Sequence, residues 1–286
     1  MSKSVYPSRA KELMERHQLF PRKRWGQNFL LDGNILGKII AACELSDQDY
    51  VVEIGPGLGA LTEQLAPRCR GLLAIEIDEH FAPVLQEVLA PYPQVHLLFA
   101  DVLQVNVEQE LCRVFNLSQP PPFKVCANIP YNITSPILFQ LLENCPHLVK
   151  AVLMMQKEVA DRILAGPGGK DYGLLTLTTA YYATVEHITK VSRNCFFPRP
   201  EVDSSVLGFS PRREKVQVVN EVLFKEFLRA AFQKRRKTML NICSGFFHRD
   251  KPEVQVILEE NGISPASRPE NLTLENFAVL VNHFAA

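Results

Sequence analysis

Short apolar runs recur along the first two thirds of the chain, each followed by a stretch whose apolar positions have helical spacing. Val51-Val52-Glu53-Ile54 ends at Gly55, as the run of a buried parallel strand does. Leu72 to Ile77, Val95 to Phe99, Phe123 to Ala127 and Ala151 to Met155 have the same character. Between them, residues 59–65, 81–89, 107–115 and 136–142 read as helices, the first halted near Pro67. Five strands separated by helices predict a doubly wound α/β sheet, because parallel strands need crossovers of helix length. Two further β-rich runs, Thr184 to Val191 and Ser204 to Phe209, are expected to finish the sheet as an antiparallel pair. Past Pro211 the strand signal stops, and residues 222–232, 237–247, 253–260 and 274–284 read as helices. The expected division is thus 1–211, with a basic extension over 1–30, and a small all-α domain over 212–286.

Composition narrows the class. With 286 residues, 47% apolar and 22% charged, the chain is an ordinary globular protein rather than a disordered or fibrous one. No apolar run approaches the ~18 residues of a membrane span. The opening ten residues lack an apolar h-region, so no secretory signal is expected, and Glu12 and Glu15 argue against a transit peptide. The seven cysteines are scattered singly, with no C-x-x-C pair, which predicts a reducing compartment and no structural zinc. None of the seven histidines falls in a cluster with metal-ligand spacing, so no metal is expected.

A formal net charge of zero hides an asymmetry. Residues 1–30 hold seven Lys/Arg against two Asp/Glu, 31–185 nine against seventeen, and 186–286 fifteen against twelve. Basic ends around an acidic middle suit a polyanionic partner. The sharpest clusters are Arg22-Lys23-Arg24 and Lys234-Arg235-Arg236-Lys237, the latter flanked by aromatic-bearing stretches.

Two motifs carry chemistry. Glu53-Ile54-Gly55-Pro56-Gly57-Leu58-Gly59 follows a strand and opens a helix, where glycines let the backbone approach a ligand. Its G-x-G-x-G spacing departs from the dinucleotide-binding G-x-G-x-x-G. Glu76, at the end of the second strand, can accept both hydroxyls of a ribose, and Asp101, ending the third, can reach an adenine amine. An adenosine gripped by two strand-end acids, with no pyrophosphate behind it, points to S-adenosylmethionine. Asn128-Ile129-Pro130-Tyr131 follows the fourth strand, at the rim where open α/β sheets bind ligands. An adenine N6 is a poor nucleophile because its lone pair is conjugated into the ring. The Asn128 oxygen and a backbone carbonyl near Ile129 could take its hydrogens and free that pair, while Tyr131 stacks on the extruded base.

These stretches resemble the ribosomal RNA adenine N6,N6-dimethyltransferase family, in its small-subunit branch. The resemblance runs from Lys23 to about Asn241 and also includes Arg24-Trp25-Gly26-Gln27-Asn28-Phe29-Leu30, Phe196-Phe197-Pro198-Arg199-Pro200-Glu201-Val202-Asp203-Ser204 and Ala231 to Thr238. The family's turn is more often Asn-Leu-Pro-Tyr, and Trp25 replaces a smaller or different aromatic residue. The resemblance implies a Rossmann-like class I methyltransferase domain with a small helical C-terminal domain. It also implies that Asn28, Leu30, Gly55, Glu76, Asp101 and Asn128 line the S-adenosylmethionine pocket, and that Phe196 takes the face of the adenine opposite Tyr131. The implied reaction is dimethylation of two adjacent adenosines near the 3′ end of small-subunit ribosomal RNA; a monomer in a bacterial cytoplasm is expected, with an organelle as the alternative compartment. RNA contact is expected at Arg22, Lys23, Arg24, Lys234, Arg235, Arg236 and Lys237. The rivals are a large-subunit adenine methyltransferase, which usually has a shorter chain, a non-catalytic ribosome-assembly factor, and a nicotinamide-dependent oxidoreductase, disfavoured by the glycine spacing.

Overall fold

The computed structural model describes residues 6–22 and 26–285 and divides into two units, 1–160 with 185–211, and 161–184 with 212–286. The first is built on a seven-stranded sheet in the order β4-β3-β2-β5-β6-β9-β7. Its strands are β2 (Tyr50–Ile54), β3 (Gly71–Glu76), β4 (Val95–Phe99), β5 (Phe123–Asn128), β6 (Leu148–Gln156), β7 (Ala183–Val191) and β9 (Ser204–Pro211). The five expected strands, β2 to β6, pair in parallel. The central β2 and β3 are buried along their whole length, which is why they read as unbroken apolar runs. β9 joins antiparallel to β6 and separates it from β7. A two-stranded ladder pairs β1 (Phe29–Leu30) with β8 (Phe196–Phe197).

Helices α3 (Thr62–Leu65), α4 (Ala82–Leu89), α5 (Val107–Phe115) and α6 (Thr134–Asn144) lie where the periodicity placed them. Two helices of this unit are absent from the sequence reading, as is α7 (Lys157–Ile163), which begins at its end. Asp32 starts α2 (Gly33–Cys43) by accepting from the amides of Asn34 and Ile35 at 2.9 and 3.1 Å. Gly33 and Gly37 weaken the helical signal of this stretch in the sequence. The expected basic extension contains α1 (Tyr6–Arg16), whose Leu13 and Met14 pack into a buried cluster with Leu58, Phe81 and Leu85. Much of its charge is answered within the fold. Arg9 reaches Glu63 at 2.8 Å, and Arg16 reaches Glu12 at 2.6 Å and Glu87 at 2.5 Å.

The domain division needs one correction. Arg212 does begin the second unit, yet residues 161–184 belong to it as well. The reason is burial. In α9 (Glu221–Gln233), Phe224, Phe227, Leu228 and Ala231 form one apolar face that must be covered. Phe246 and Phe247 of α10 (Met239–Phe247) and Phe277 of α12 (Leu274–Ala285) pack around Phe227, with ring centroids 4.8 to 5.7 Å away. Tyr181 of α8 (Leu174–Tyr182) packs on Phe224 at 5.1 Å. The hydroxyls of Tyr181 and Tyr182 donate to Glu221 at 3.1 and 2.8 Å. The fourth helix of the C-terminal segment is α11 (Lys251–Glu260).

The cluster Lys234 to Lys237 occupies the exposed turn between α9 and α10 rather than a helix. Arg235 differs from its neighbours. Its guanidinium donates to the carbonyls of Lys170 and Tyr172 and lies over the Phe232 ring, 5.5 Å from its centroid. It thereby ties the 166–173 segment to the end of α9. Arg235→Ala should destabilise the protein by about 1–2 kcal/mol, the scale of two partly exposed charge-assisted hydrogen bonds. Lys234→Ala and Arg236→Ala should stay within about 0.5 kcal/mol of the parent. Urea denaturation of the three variants checks this.

Candidate active site

In the sheet, β2 passes to β3 on one side and β5 to β6 on the other, so the loops after β2 and β5 part above the sheet. Such a switch point is where open α/β sheets hold ligands. A cleft of about 1330 Å³, its open mouth included, lies there. Asn28, Leu30, Gly55, Glu76, Asp101, Asn128 and Tyr131 all line it. Residues a hundred positions apart are thus brought to one wall.

The loop after β2 turns through Gly55, Gly57 and Gly59 at φ of 73°, 55° and 79°, a region other residues rarely adopt. A Cβ on Gly59 would also fall 2.9 Å from Val88 of α4. Glu76 holds this loop to the end of β3. Its two carboxylate oxygens each accept at 3.0 Å, from the amides of Gly57 and Asp78. The group is 5% exposed, and burial raises its pKa against the opposing effect of these amides. Each oxygen keeps a lone pair for a further donor, so the pair of ribose hydroxyls expected there can be accommodated. Asp101 accepts from the Leu103 amide at 3.0 Å through Oδ1.

The amide nitrogen of Asn128 donates to the Asn28 carbonyl at 2.9 Å. That bond sets the side chain's orientation and leaves Oδ1 as an acceptor. Asn28 is itself held by a 3.0 Å bond to the Gly26 carbonyl. Tyr131 opens a 3₁₀ turn after Pro130, and its hydroxyl shares a 2.7 Å hydrogen bond with Ser204 of β9. Burial raises the Tyr131 pKa, so the hydroxyl stays neutral. Ser204 closes the Phe196–Ser204 motif, and its part in positioning Tyr131 could not be read from either motif alone.

Phe196 is not brought to the cleft. It is 5% exposed, paired with Leu30 across the β1/β8 ladder and packed into the core beneath it, whereas Phe197 is 49% exposed. Arg22 is engaged too. It lies 3.6 Å from Asp78 and 2.8 Å from Nε2 of His80, while Gln27 donates to Asp78 at 2.9 Å. Burial would raise the Asp78 pKa, but Gln27, His80 and Arg22 together hold it below the ordinary value. Lys23 and Arg24 lie outside the described residues.

One cleft residue escaped the sequence reading. Glu53, at 1% exposure, has an Oε2 with no hydrogen-bond partner. It stands in the glycine motif, where its carboxylate reads as one more strand position. An orphaned acid beside two strand-end carboxylates suits a ligand that is a nucleoside at one end and cationic at the other. S-adenosylmethionine is such a molecule, and the residues present fit it.

A profile of the family described as ribosomal RNA adenine dimethylase matches residues 20–286. A ribosomal RNA small subunit methyltransferase A from Bacillus cytotoxicus is 44% identical over 96% of this chain and 95% of its own length. The Bacillus thuringiensis protein of that name is 43% identical over the same shares. Among solved structures, a dimethyladenosine transferase from Plasmodium falciparum has a TM-score of 0.75 at 28% identity, covering 90% of this chain and 97% of its own. The 23S rRNA methyltransferase ErmE reaches 0.68 at 27% identity, covering 90% of this chain and all of its own. The motif resemblance, the sheet and the cleft all agree with these matches, and the chain belongs to the ribosomal RNA adenine dimethylase family.

Proposed function

We propose that this enzyme uses S-adenosylmethionine to dimethylate N6 of two adjacent adenosines near the 3′ end of small-subunit ribosomal RNA. The observation that carries the reading is the Asn128 side chain, locked by its bond to Asn28 with its oxygen left as an acceptor, one turn from Tyr131 in a cleft lined by Glu76 and Asp101. The relatives at 43–44% identity carry the small-subunit name. Residues 212–286 supply RNA contact, and the protein acts as a monomer in the cytoplasm. Among the described residues no helix is long and apolar enough to cross a membrane.

When bound, the cofactor supplies a methyl group on a positively charged sulfur, which leaves as a neutral thioether. The chain's own work is positioning. Asn128 Oδ1 and a backbone carbonyl of the 128–131 turn accept the N6 hydrogens, so that the nitrogen lone pair leaves conjugation with the ring. Tyr131 stacks on the base, and Ser204 fixes the plane of its ring. No strong base is needed, because the amine becomes acidic after attack and its proton passes to solvent. Tritiated methyl transfer to purified small subunits, set against large subunits and free adenosine, tests the reading. Equal or preferential labelling of large subunits would overturn it.

Three outcomes follow at the site and the RNA surface. In single-turnover methylation on saturating subunits, Asn128→Ala should lose far more rate than Tyr131→Ala, which should fall ten- to a hundredfold as ~1–3 kcal/mol of stacking is lost. Tyr131→Phe and Ser204→Ala should each lose only severalfold, and the double variant no more than either single one, since both remove the same hydrogen bond.

Glu76→Ala should weaken S-adenosylmethionine binding by about 2–3 kcal/mol in calorimetry. Glu76→Gln should do little better, because its NH₂ would face the Gly57 or Asp78 amide.

For RNA, Lys234, Arg236 and Lys237 are exposed and make no ion pair with a described residue. Replacing all three by Ala should lower the slope of log affinity against log salt by up to ~0.7–0.9 for each lost phosphate contact, with cofactor affinity unchanged. Filter binding over a salt series measures the slope.

A further inference from the structure

Helix α6 is bonded to two walls of the cleft. It follows directly on the turn Tyr131–Ile133, and the Thr134 hydroxyl lies 3.4 Å from the carbonyls of both Pro130 and Tyr131. Further along the helix, the half-buried Gln140 reaches the loop after β4. Its side-chain nitrogen donates to the Val102 carbonyl at 2.8 Å and to the Val105 carbonyl at 3.0 Å. Both partners can only accept. The NH₂ and not the oxygen must therefore face them, and its two hydrogens serve one carbonyl each.

The loop so held is a tight one. Val102–Gln104 is a single 3₁₀ turn, opened by Asp101, whose Oδ1 accepts from the Leu103 amide at 3.0 Å. Within it the Gln104 amide donates to the Asp101 carbonyl at 2.8 Å and the Val105 amide to the Val102 carbonyl at 3.2 Å. Bonds of this kind have poorer geometry than those of an α-helix, so a lone turn gains from an outside brace. Gln140 supplies one at two points. The Val102 carbonyl thereby fills both lone pairs, one with the Val105 amide and one with Gln140. Among the described residues, Asp101 and Val102 line the cleft and Gln140 does not. Gln140 can act on a ligand there only through this loop.

We propose that Gln140 is a positioning residue for the adenine of the cofactor: it fixes the loop so that the Asp101 carboxylate meets the exocyclic amine. The inference rests on S-adenosylmethionine as the cofactor and on Asp101 as the acceptor of its amine. It adds the group that sets the acceptor's place. The chemistry needed at position 140 is narrow: two N–H donors on a stem that reaches from α6 to two carbonyls. A Lys ammonium meets that requirement. Leu has a similar bulk and no donor, and Ala has neither donor nor reach.

Calorimetry of the full chain with S-adenosylhomocysteine, and with its inosine counterpart in which an oxo group replaces the amine, tests this. A correctly placed Asp101 carboxylate accepts from the amine and repels the oxo group, so the parent should prefer the adenosine ligand by about tenfold or more. In Gln140→Leu and Gln140→Ala, affinity for S-adenosylhomocysteine should fall by about tenfold, the scale of one or two neutral hydrogen bonds. The preference over the inosine ligand should shrink with it. Gln140→Lys should keep both within about threefold of the parent. Small-subunit methylation at saturating S-adenosylmethionine should stay within about threefold in every variant, as a loss confined to cofactor binding requires. Leu keeps the bulk of Gln and Ala favours the helix, so the two variants do not share one way of misfolding. An unchanged preference in both, or a saturated rate that falls in step with affinity, would overturn the role of Gln140 while leaving the cofactor assignment in place. A parent that binds the two ligands equally would overturn Asp101 as the acceptor and this inference with it. Failure of the parent to bind either ligand would overturn the cofactor reading itself.

Discussion

The buried Glu76 carboxylate is the joint on which the cleft depends. By accepting from the Gly57 amide it draws the loop after β2 onto the end of β3, and by accepting from Asp78 it shapes the turn that leaves β3. Two neighbouring parallel strands are thereby fastened at their C-terminal ends, where the sheet's connections diverge. The glycines take left-handed backbone angles so that the Gly57 amide can point at that carboxylate. From Asp78 the linkage continues through Gln27 to the segment carrying Asn28, and from the Asn28 carbonyl to the side chain of Asn128. Hydrogen bonds, with the Gln27–Asn28 peptide between them, therefore link the glycine loop to the turn at Asn128.

Charge is arranged around this joint with a clear division. Among the described residues the cleft wall carries four acids and one arginine, which is already paired with Glu63, and this favours a cationic ligand. The described arginines near the N-terminus are engaged within the fold. Arg9, Arg16 and Arg22 each meet a carboxylate of the sheet domain, so that helix α1 closes over apolar surface with its charges balanced. The turn after α9 carries four consecutive exposed cations, one of which, Arg235, braces the fold. A surface of this kind gives affinity through phosphates without reading sequence.

Strand periodicity and glycine spacing by themselves determined the parallel sheet, its five core strands and the place of the cleft at their ends. A strand buried on both faces must be apolar throughout, and a turn that approaches a ligand must be glycine, so both leave marks in the chain. That Glu76, Asp101, Asn128 and Tyr131 line the cleft was legible for the same reason, because each ends or closely follows a strand. Other features are decided by partners far away in sequence. Whether 161–184 joins the sheet or the C-terminal helices depends on which apolar face it covers, and α9 lies some forty residues beyond it. That Phe196 packs under Leu30, that Arg235 braces a loop, and that Ser204 holds Tyr131 each depend on two segments meeting. Glu53 shows the difference most plainly: its identity and position are local facts, but the burial that leaves its Oε2 without a hydrogen-bond partner is a property of the folded protein alone.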